Sequence, residues 1–188
     1  MKLQMIIATL LAVSATSAIA ATYNIDPTHT YPSFEADHMG LSVWRGKFDK
    51  TSGTVTMDRA AKTGSLDITI DPASIDFGMP QLNKHAQSPD MFNVEKYPSV
   101  TYKSNSFKFE GDQLVGIDGE LTLLGVTKPV SLKVDKFKCI MHPRLKREVC
   151  GADAKAEFKR SDFGMNFGLP NFSPDVKLAI QIEAIKAD

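Results

Sequence analysis

The cysteines are the residues whose spacing most readily suggests chemistry. The chain has two, Cys139 and Cys150, and the short segment between them contains His142. Thiolate and imidazole groups are zinc ligands, but this spacing matches no compact zinc pattern, and a fourth ligand would have to come from elsewhere. An even number of cysteines is typical of a disulfide when the chain is exported, as the first twenty residues of this sequence indicate (see below). We therefore predict a Cys139–Cys150 disulfide and no metal site.

The histidines are candidates for acid–base chemistry, but their positions do not favour it. His29 and His38 are an odd number of residues apart, so they cannot point to the same face of one strand. The sequence contains no Gly-x-Ser-x-Gly nucleophile elbow and no glycine-rich phosphate loop. We therefore expect no catalytic residues and no enzyme activity. Two roles stay open for His38, an inward polar group satisfied by a neighbour and a group that reaches the head of a ligand.

Other polar residues lie beside apolar ones and have a structural interpretation. We expect Asp76 and Asp162 to cap loops, with contact to a ligand head group as the alternative. The run Arg160-Ser161-Asp162 is expected to form a local salt-bridged turn.

Charge over the whole chain is balanced, with 22 Lys and Arg against 22 Asp and Glu. This balance does not favour nucleic acid as a partner. One basic cluster surrounds the predicted disulfide, and it consists of Lys136, Lys138, Arg144, Lys146 and Arg147. Two interpretations of the cluster stay open, a solvated loop and a surface that makes peripheral contact with an anionic membrane.

The first twenty residues have the layout of a secretory signal peptide. Lys2 precedes an apolar stretch, and Ala18-Ile19-Ala20 is a small-residue cleavage site. The apolar stretch is shorter than the roughly 20 residues that span a bilayer. We predict a signal peptide over 1–20, localisation in the periplasm and a single domain over 21–188.

Alternation of apolar and polar residues dominates the rest of the chain. It is clearest over 66–70, 115–123, 130–134 and 176–184, and it places Val115 on the same face as Ile117. Many half-buried antiparallel strands form a sandwich or a barrel. The last stretch is long and apolar on one face, and closure of the sheet would remove its exposed edge. We therefore predict an all-β fold, an antiparallel barrel of about eight strands.

The alternation stops over residues 80–97. There Ser88 and Pro89 are typical of a helix start, with Ser88 as the N-terminal cap and Pro89 as the first helical residue. Apolar residues within 91–94 would give the helix one apolar face, and Pro98 would end it. We predict a short helical lid that covers an open end or a face of the barrel.

Small residues at inward positions indicate room inside the barrel. Ala152, Ala154, Ala156 and Gly119 fall on the inner face, and large aromatic residues occur elsewhere. Two interpretations stay open, an apolar tunnel and a barrel whose aromatic side chains fill the space opposite the alanines. The residues that we expect to line a tunnel and bind its ligand are Phe34, His38, Trp44, Phe48, Ile68, Ile70, Phe92, Tyr102, Leu121, Phe158 and Phe163.

Several ordered motifs resemble those of a known family. They comprise His29-Thr30 with His38-Met39-Gly40 and 45–48, then 74–76 with His85 and 88–98, then 119–130, and finally 160–165. In these motifs the chain resembles the YceI-like family of periplasmic polyisoprenoid-binding proteins over almost its whole mature length.

The resemblance implies a lipocalin-like barrel whose ligand is an isoprenoid lipid, with isoprenoid quinones as a specific case. It implies no cofactor chemistry. The chain departs from the family pattern at Pro32, at Leu82-Asn83 and at Ala86. Because proline cannot donate to a strand ladder, Pro32 predicts an edge, a bulge or a late strand start.

Together these observations predict a periplasmic monomer or homodimer that sequesters or carries a long-chain polyisoprenoid or an isoprenoid quinone. The alternative is an envelope stress or interaction protein with a filled barrel and no ligand.

Overall fold

The computed structural model describes residues 20–188. Residues 1–19, which hold almost all of the predicted signal peptide, lie outside this range. The described strands are β1 (Ala21–Ile25), β2 (Tyr31–His38), β3 (Ser42–Phe48), β4 (Thr51–Asp58), β5 (Thr63–Ile70), β6 (Ile75–Asp76), β7 (Val100–Glu110), β8 (Gln113–Leu123), β9 (Val126–Met141), β10 (Glu148–Lys159) and β11 (Asp175–Lys186). One α-helix, α1 (Pro80–Gln87), lies between β6 and β7. Over the same residues, no helix combines the length and the apolar character that crossing a membrane requires.

Eight strands form a closed antiparallel ring. Their order is β1, β4, β5, β7, β8, β9, β10 and β11, and β11 pairs back to β1 with Ala184 opposite Ile25. The predicted antiparallel barrel of about eight strands is therefore confirmed. Because the ring is closed, the long β11 has a neighbour on both sides instead of an exposed edge.

The strand β11 pairs with two different strands along its length. Near Ala184 its neighbour is β1, whereas near Val176 its neighbour is β2. The chain between them, residues 26–30, forms a seam in the barrel wall. Pro32 is the second residue of β2 and lies opposite Ile180 of β11. The pairing of β2 with β3 begins at the next residue, Ser33. This is the late strand start that proline predicts.

The antiparallel register gives the barrel two distinct ends. The turns after β4, β7 and β9 lie at one end, together with Ala21 and Lys186, and we name it the closed end. The β2–β3 turn, the segment 77–99 with α1, the β8–β9 turn and the segment 160–174 lie at the opposite end, which we name the open end.

A bulge in β8 overturns one part of the predicted alternation. Gly116 pairs with Lys108 and Leu114 pairs with Phe109, so Val115 is an extra residue in the strand. As a result Leu114 is buried in the core, and Val115 does not share the face of Ile117. The alternation rule fails here because a bulge shifts the phase of every residue before it.

The helix occurs earlier than the sequence predicts. Pro80 is its first residue, and the helix ends at Gln87, with Ser88 in an extended conformation as its C-terminal cap. The predicted start at Ser88-Pro89 is therefore wrong. A proline disfavours helical geometry in the residue before it, so Pro89 ends the helix instead of beginning one. Residues 89–97 form turns, in which the Phe92 N–H donates to the Ala86 carbonyl at 2.9 Å.

The closed end is packed with side chains. Tyr23, Met57, Leu114 and Ala184 are buried there and belong to the main hydrophobic cluster, which continues along the barrel. A second, smaller cluster lies at the open end and consists of Phe34, Phe48, Ile75, Ala86 and Val176. The second cluster attaches α1 and the β2–β3 hairpin to the barrel.

Candidate functional site

An apolar cavity of about 250 Å³ extends from the open end of the barrel to the level of Ala152 and Ile182. Its lining comes from the barrel strands, from α1 and from the segment 160–174, and no turn of the closed end contributes to it. For comparison, an apolar cavity of roughly 150 Å³ is enough to bind a benzene-sized molecule. The barrel interior is therefore not completely filled by its own side chains.

Nine of the predicted lining residues line the cavity. They are Phe34, Trp44, Phe48, Ile68, Ile70, Phe92, Tyr102, Leu121 and Phe158. The aliphatic wall also includes inward residues of β9 and β11, such as Val130, Leu132, Leu178 and Ile182. Their binding of a ligand stays a prediction, but their common position follows from the alternation of the strands.

Two predicted residues lie outside the lining. Phe163 lies in the short turn Arg160–Phe163 and is buried, but it does not line the cavity. Its ring packs edge-on against that of Phe158, with ring centroids 5.3 Å apart. His38 stacks on Trp44 with ring centroids 4.1 Å apart, and Phe172 packs edge-on against it. His38 is therefore part of an aromatic group at the open end.

The small inward residues do not all leave space. Gly119 lies under the ring of Tyr102, and a Cβ atom there would lie 2.6 Å from the ring. The Tyr102 hydroxyl donates to the Val130 carbonyl at 2.7 Å, which fixes the ring in this position. By contrast, Ala152 and Ala154 line the cavity directly. The room inside the barrel thus comes from the alanines of β10 and not from Gly119.

Burial also affects the acidity of Tyr102. Its hydroxyl lies in the core, and desolvation raises the pKa, with a further contribution from the charge of Asp118. The group is neutral at physiological pH and acts as a hydrogen-bond donor within the wall.

Aromatic residues from loops surround the opening of the cavity. The ring centroid of Trp44 in β3 lies 6.2 Å from that of Phe77 and 6.4 Å from that of Phe172. The ring centroids of Phe167 and Phe172 are 6.5 Å apart. Phe77, Phe167 and Phe172 line the cavity, although the sequence did not identify them. They occur in segments without periodicity and rich in Gly, Pro and Asn, so no pattern predicted where their side chains point.

The helix α1 covers the opening and is attached by hydrogen bonds. Asn83 Oδ1 accepts from the Phe77 N–H at 2.8 Å, and Asn83 Nδ2 donates to Asp76 Oδ1 at 3.0 Å. The hydrogen bond from Asn83, followed by that from the Gly78 N–H, lowers the pKa of Asp76. Asp76 therefore caps this loop, as predicted. Leu82 and His85 of the same helix line the cavity.

A few polar groups reach the cavity. Thr30 lies at its inner end, where its hydroxyl donates to the Glu183 carbonyl at 3.2 Å, and the others lie nearer the opening. Arg160 is buried beside the cavity, and no ion pair involves this residue within 20–188, so the predicted salt-bridged turn is wrong. Thr51 is also buried beside the cavity. Asp37 lines the cavity too, but its carboxylate accepts from the Gly40 N–H at 3.0 Å.

Large apolar side chains are exposed around the opening. They come from the β2–β3 hairpin, the residue before α1 and the segment 160–174. We name them the mouth rim, which consists of Met39, Leu41, Val43, Met79 and Phe167. Leu41 is 80% exposed, and Phe167, at 42%, contributes to both the rim and the cavity lining. Grouped exposed apolar side chains of this kind mark interaction surfaces.

The predicted disulfide is present at the closed end. Cys139 of β9 and Cys150 of β10 lie directly opposite each other and are bonded. Glu148 is near both sulfur atoms, but bonded cysteines do not supply thiolate ligands for a metal. The basic cluster around the disulfide also lies at this end or on the adjoining strands, away from the mouth rim.

The fold and the cavity together define a class of protein. An eight-stranded antiparallel barrel that is packed at one end and hollow at the other is a barrel with room for one apolar ligand.

The chain belongs to the YceI-like family, because the family model for the YceI-like domain matches residues 23–184. Protein YceI of Escherichia coli O157:H7 is 36% identical over 176 residues, which cover 92% of this chain and 91% of that protein.

Solved structures share the fold. BcnA of Burkholderia cenocepacia superposes with a TM-score of 0.69 at 24% identity, over 85% of this chain and 99% of BcnA. A polyisoprenoid binding domain from Saccharophagus degradans, implicated in plant cell wall breakdown, gives a TM-score of 0.66 at 17% identity, over 89% of this chain and 99% of that domain. At these identities the likeness concerns the fold.

Proposed function

We propose that this protein binds and carries a long-chain isoprenoid lipid, a polyisoprenoid or an isoprenoid quinone, and that it is not an enzyme. The apolar cavity under α1 is the observation on which the proposal depends. Its walls are aliphatic and aromatic. The polar side chain at its inner end, Thr30, donates to the Glu183 carbonyl, whereas Arg160 and the unbonded Thr51 hydroxyl lie nearer the opening. This distribution suits a hydrocarbon chain whose polar end lies near the opening.

The energetics support an isoprenoid chain as ligand. Burial of each methylene-sized group contributes about 0.8 kcal/mol, so one five-carbon unit contributes about 4 kcal/mol. Association costs on the order of 4–15 kcal/mol in lost freedom. A few buried units are therefore enough for stable binding without any directional contact.

The comparisons support the same ligand class. The related domain from Saccharophagus degradans is described as polyisoprenoid binding, and it shares the barrel over most of its length. The alternative, a filled barrel that acts through its surface, does not account for the cavity of about 250 Å³.

We further propose that the protein acts in the periplasm. Two features support this location, the signal-peptide pattern of residues 1–20 and the Cys139–Cys150 disulfide, since disulfides persist in oxidising compartments. Mass analysis of the protein recovered from a periplasmic extract is the test. We expect a mature form that begins at Ala21, and recovery of the uncut chain from the cytosol would contradict this location.

The membrane contact that this function requires is proposed at the mouth rim. A sparingly soluble lipid is exchanged most easily where the opening itself touches a bilayer, because the chain then avoids water. The exposed apolar side chains of the rim surround that opening, whereas the basic cluster lies away from it.

Mass spectrometry of the retained lipid tests the proposed function. The full chain is expressed with export, purified gently and analysed first by native mass spectrometry and then after organic extraction. We expect a bound mass that corresponds to a chain of repeated five-carbon units. Protein without any retained lipid that also fails to take up an added isoprenoid would overturn the proposal. Chemical change of an added isoprenoid during prolonged incubation would instead indicate an enzyme.

A further inference from the structure

Arg160 is a buried cation at the cavity without a neighbouring counter-charge. Its residue is 7% exposed, and it lines the cavity at the end of β10. Within residues 20–188, no carboxylate oxygen lies within 4.0 Å of the guanidinium group. Burial alone lowers the pKa of Arg160, and no neighbouring charge contributes. An unpaired buried charge is costly unless something else compensates it.

The protein uses only part of the hydrogen-bonding capacity of Arg160. Nε donates to the Ser173 carbonyl at 3.3 Å, and Nη1 donates to the Met165 carbonyl at 2.9 Å. A guanidinium group has five N–H donors. Among the described residues, none accepts a hydrogen bond from Nη2. The two backbone bonds hold the group in place and leave donors for another partner.

A second buried polar group faces the same cavity without a partner. Thr51 is 3% exposed, and its Oγ1 makes no hydrogen bond within the described part of the chain. Buried polar groups are nearly always hydrogen-bonded, so an unsatisfied one indicates a missing partner. Thr51 begins β4 and Arg160 follows β10, so both groups lie in the open half of the cavity.

We infer that Arg160 and Thr51 bind the head group of the lipid. This inference rests on the proposed function and adds the chemistry of the ligand: a head group with hydrogen-bond-accepting oxygen atoms, which a carbonyl or a phosphate supplies. The unbalanced positive charge favours the anionic phosphate. The hydrocarbon chain then extends away from Arg160 toward the aliphatic wall around Leu132 and Ile182.

Three ligands with the same prenyl chain test the inference. One is a plain hydrocarbon, one carries a quinone head and one carries a phosphate head. Their affinities are measured by displacement of a fluorescent apolar probe from the wild type and from Arg160→Gln. Lys159→Gln is the matched control, because it removes an exposed charge from the adjacent residue.

The wild type is expected to prefer a head-bearing ligand over the hydrocarbon by at least tenfold, since hydrogen bonds to a charged group contribute roughly 1.5–3 kcal/mol. Arg160→Gln should abolish this preference and leave the hydrocarbon affinity within about threefold of wild type. Lys159→Gln should keep the preference. A phosphate preference larger than the quinone preference identifies an anionic head, and equal preferences identify a neutral acceptor as sufficient.

Other outcomes overturn the inference. Equal affinity of the wild type for all three ligands would do so, as would an equal loss for all three in Arg160→Gln, because a purely structural arginine affects every ligand alike. If Arg160→Gln does not fold, Thr51→Val replaces it, and a head-group preference as large in Thr51→Val as in the wild type rejects the site. Failure of all three ligands to bind the wild type would instead reject the proposed function.

Discussion

The two ends of this barrel are built from the same strands but have opposite interiors. At the closed end, Tyr23, Met57 and Leu114 fill the space between the strands. From the open end to the middle of the barrel the interior is hollow, because Ala152 and Ala154 of β10 leave room, and loop aromatics surround the opening. Alternation makes both interiors apolar, and the size of the inward side chains decides which of them is hollow.

The surfaces of the two ends differ as well. At the closed end, Glu148 accepts from the Tyr23 hydroxyl at 3.0 Å and forms an ion pair with Arg59. Burial, together with this hydrogen bond, raises the pKa of Tyr23 to about 12. The open end presents the five apolar side chains of the mouth rim, whereas the apolar side chains exposed at the closed end are Ile140, Met141 and Leu145. We therefore propose that the closed end contributes stability and that the open end exchanges the ligand.

Removal of the disulfide should separate these two roles most clearly. The double variant Cys139→Ala with Cys150→Ala should lower the free energy of unfolding by roughly 2–3 kcal/mol, because the unfolded chain gains loop entropy. Denaturant titration measures this change. Lipid content after extraction should not change, since neither cysteine lines the cavity. A loss of lipid at unchanged stability would contradict the division of roles.

Filling the cavity should have the next largest effect. Ala154→Phe places a ring in the cavity, and the loss of roughly 80 Å² of ligand contact would weaken lipid binding by about 2 kcal/mol, or about 30-fold. Displacement titration with an isoprenoid measures the affinity. Ala179→Phe is the control, because Ala179 is exposed on the outer face of β11. Equal affinities of the two variants would show that the ligand lies elsewhere.

Membrane contact should depend on the rim and not on the closed end. Leu41→Ser should reduce co-sedimentation with vesicles of phosphatidylcholine and phosphatidylglycerol about tenfold, because a buried leucine contributes roughly 1.5–3 kcal/mol and only part of that is recovered at an interface. Leu145→Ser is the control, since Leu145 is 47% exposed in the β9–β10 turn at the closed end. Strong salt dependence, with loss of binding in a variant carrying Arg144→Gln and Lys146→Gln, would place the contact on the basic cluster instead.

The smallest expected effect concerns the seam in the barrel wall, residues 26–30, which connects β1 to β2. His29 Nδ1 lies 2.8 Å from Asp26 Oδ2, and this hydrogen bond raises the pKa of His29 above its usual 6.5. Burial opposes ionisation of Asp26, but hydrogen bonds from Thr28 and His29 outweigh it and lower the Asp26 pKa below 3.8.

The contribution of His29 to stability is therefore complete below pH 6.5 and is lost as the pH rises through its folded-state pKa. The contribution of Asp26 is present above pH 3.8 and is lost as the pH falls through its own folded-state pKa. His29→Asn should lower the free energy of unfolding slightly at pH 5.5 and less at pH 8, as measured by denaturant titration. An identical difference at both pH values would show that the pair does not couple the seam to protonation.

The sequence alone determined the barrel, most of its inner face and the disulfide. Alternation is a local property of a strand, so the inward residues of β5, β9 and β11 followed from it directly. The family motifs identified the YceI-like family, and the matching of residues 23–184 confirmed it. Local rules failed where two of them competed. At Ser88-Pro89, the preference of serine and proline for a helix start competed with the restriction that a proline places on the residue before it, and the restriction prevailed.

Only the tertiary structure decided which part of the inner face encloses space. Whether an inward residue meets another side chain or a cavity depends on strands that are distant in sequence, as Gly119 and Tyr102 show. Loop residues such as Phe172 and Arg160 carry no periodic signal, so their positions at the cavity follow from packing of the folded chain. A local pattern can fix the face of a residue, but the volume in front of that face is a property of the whole barrel.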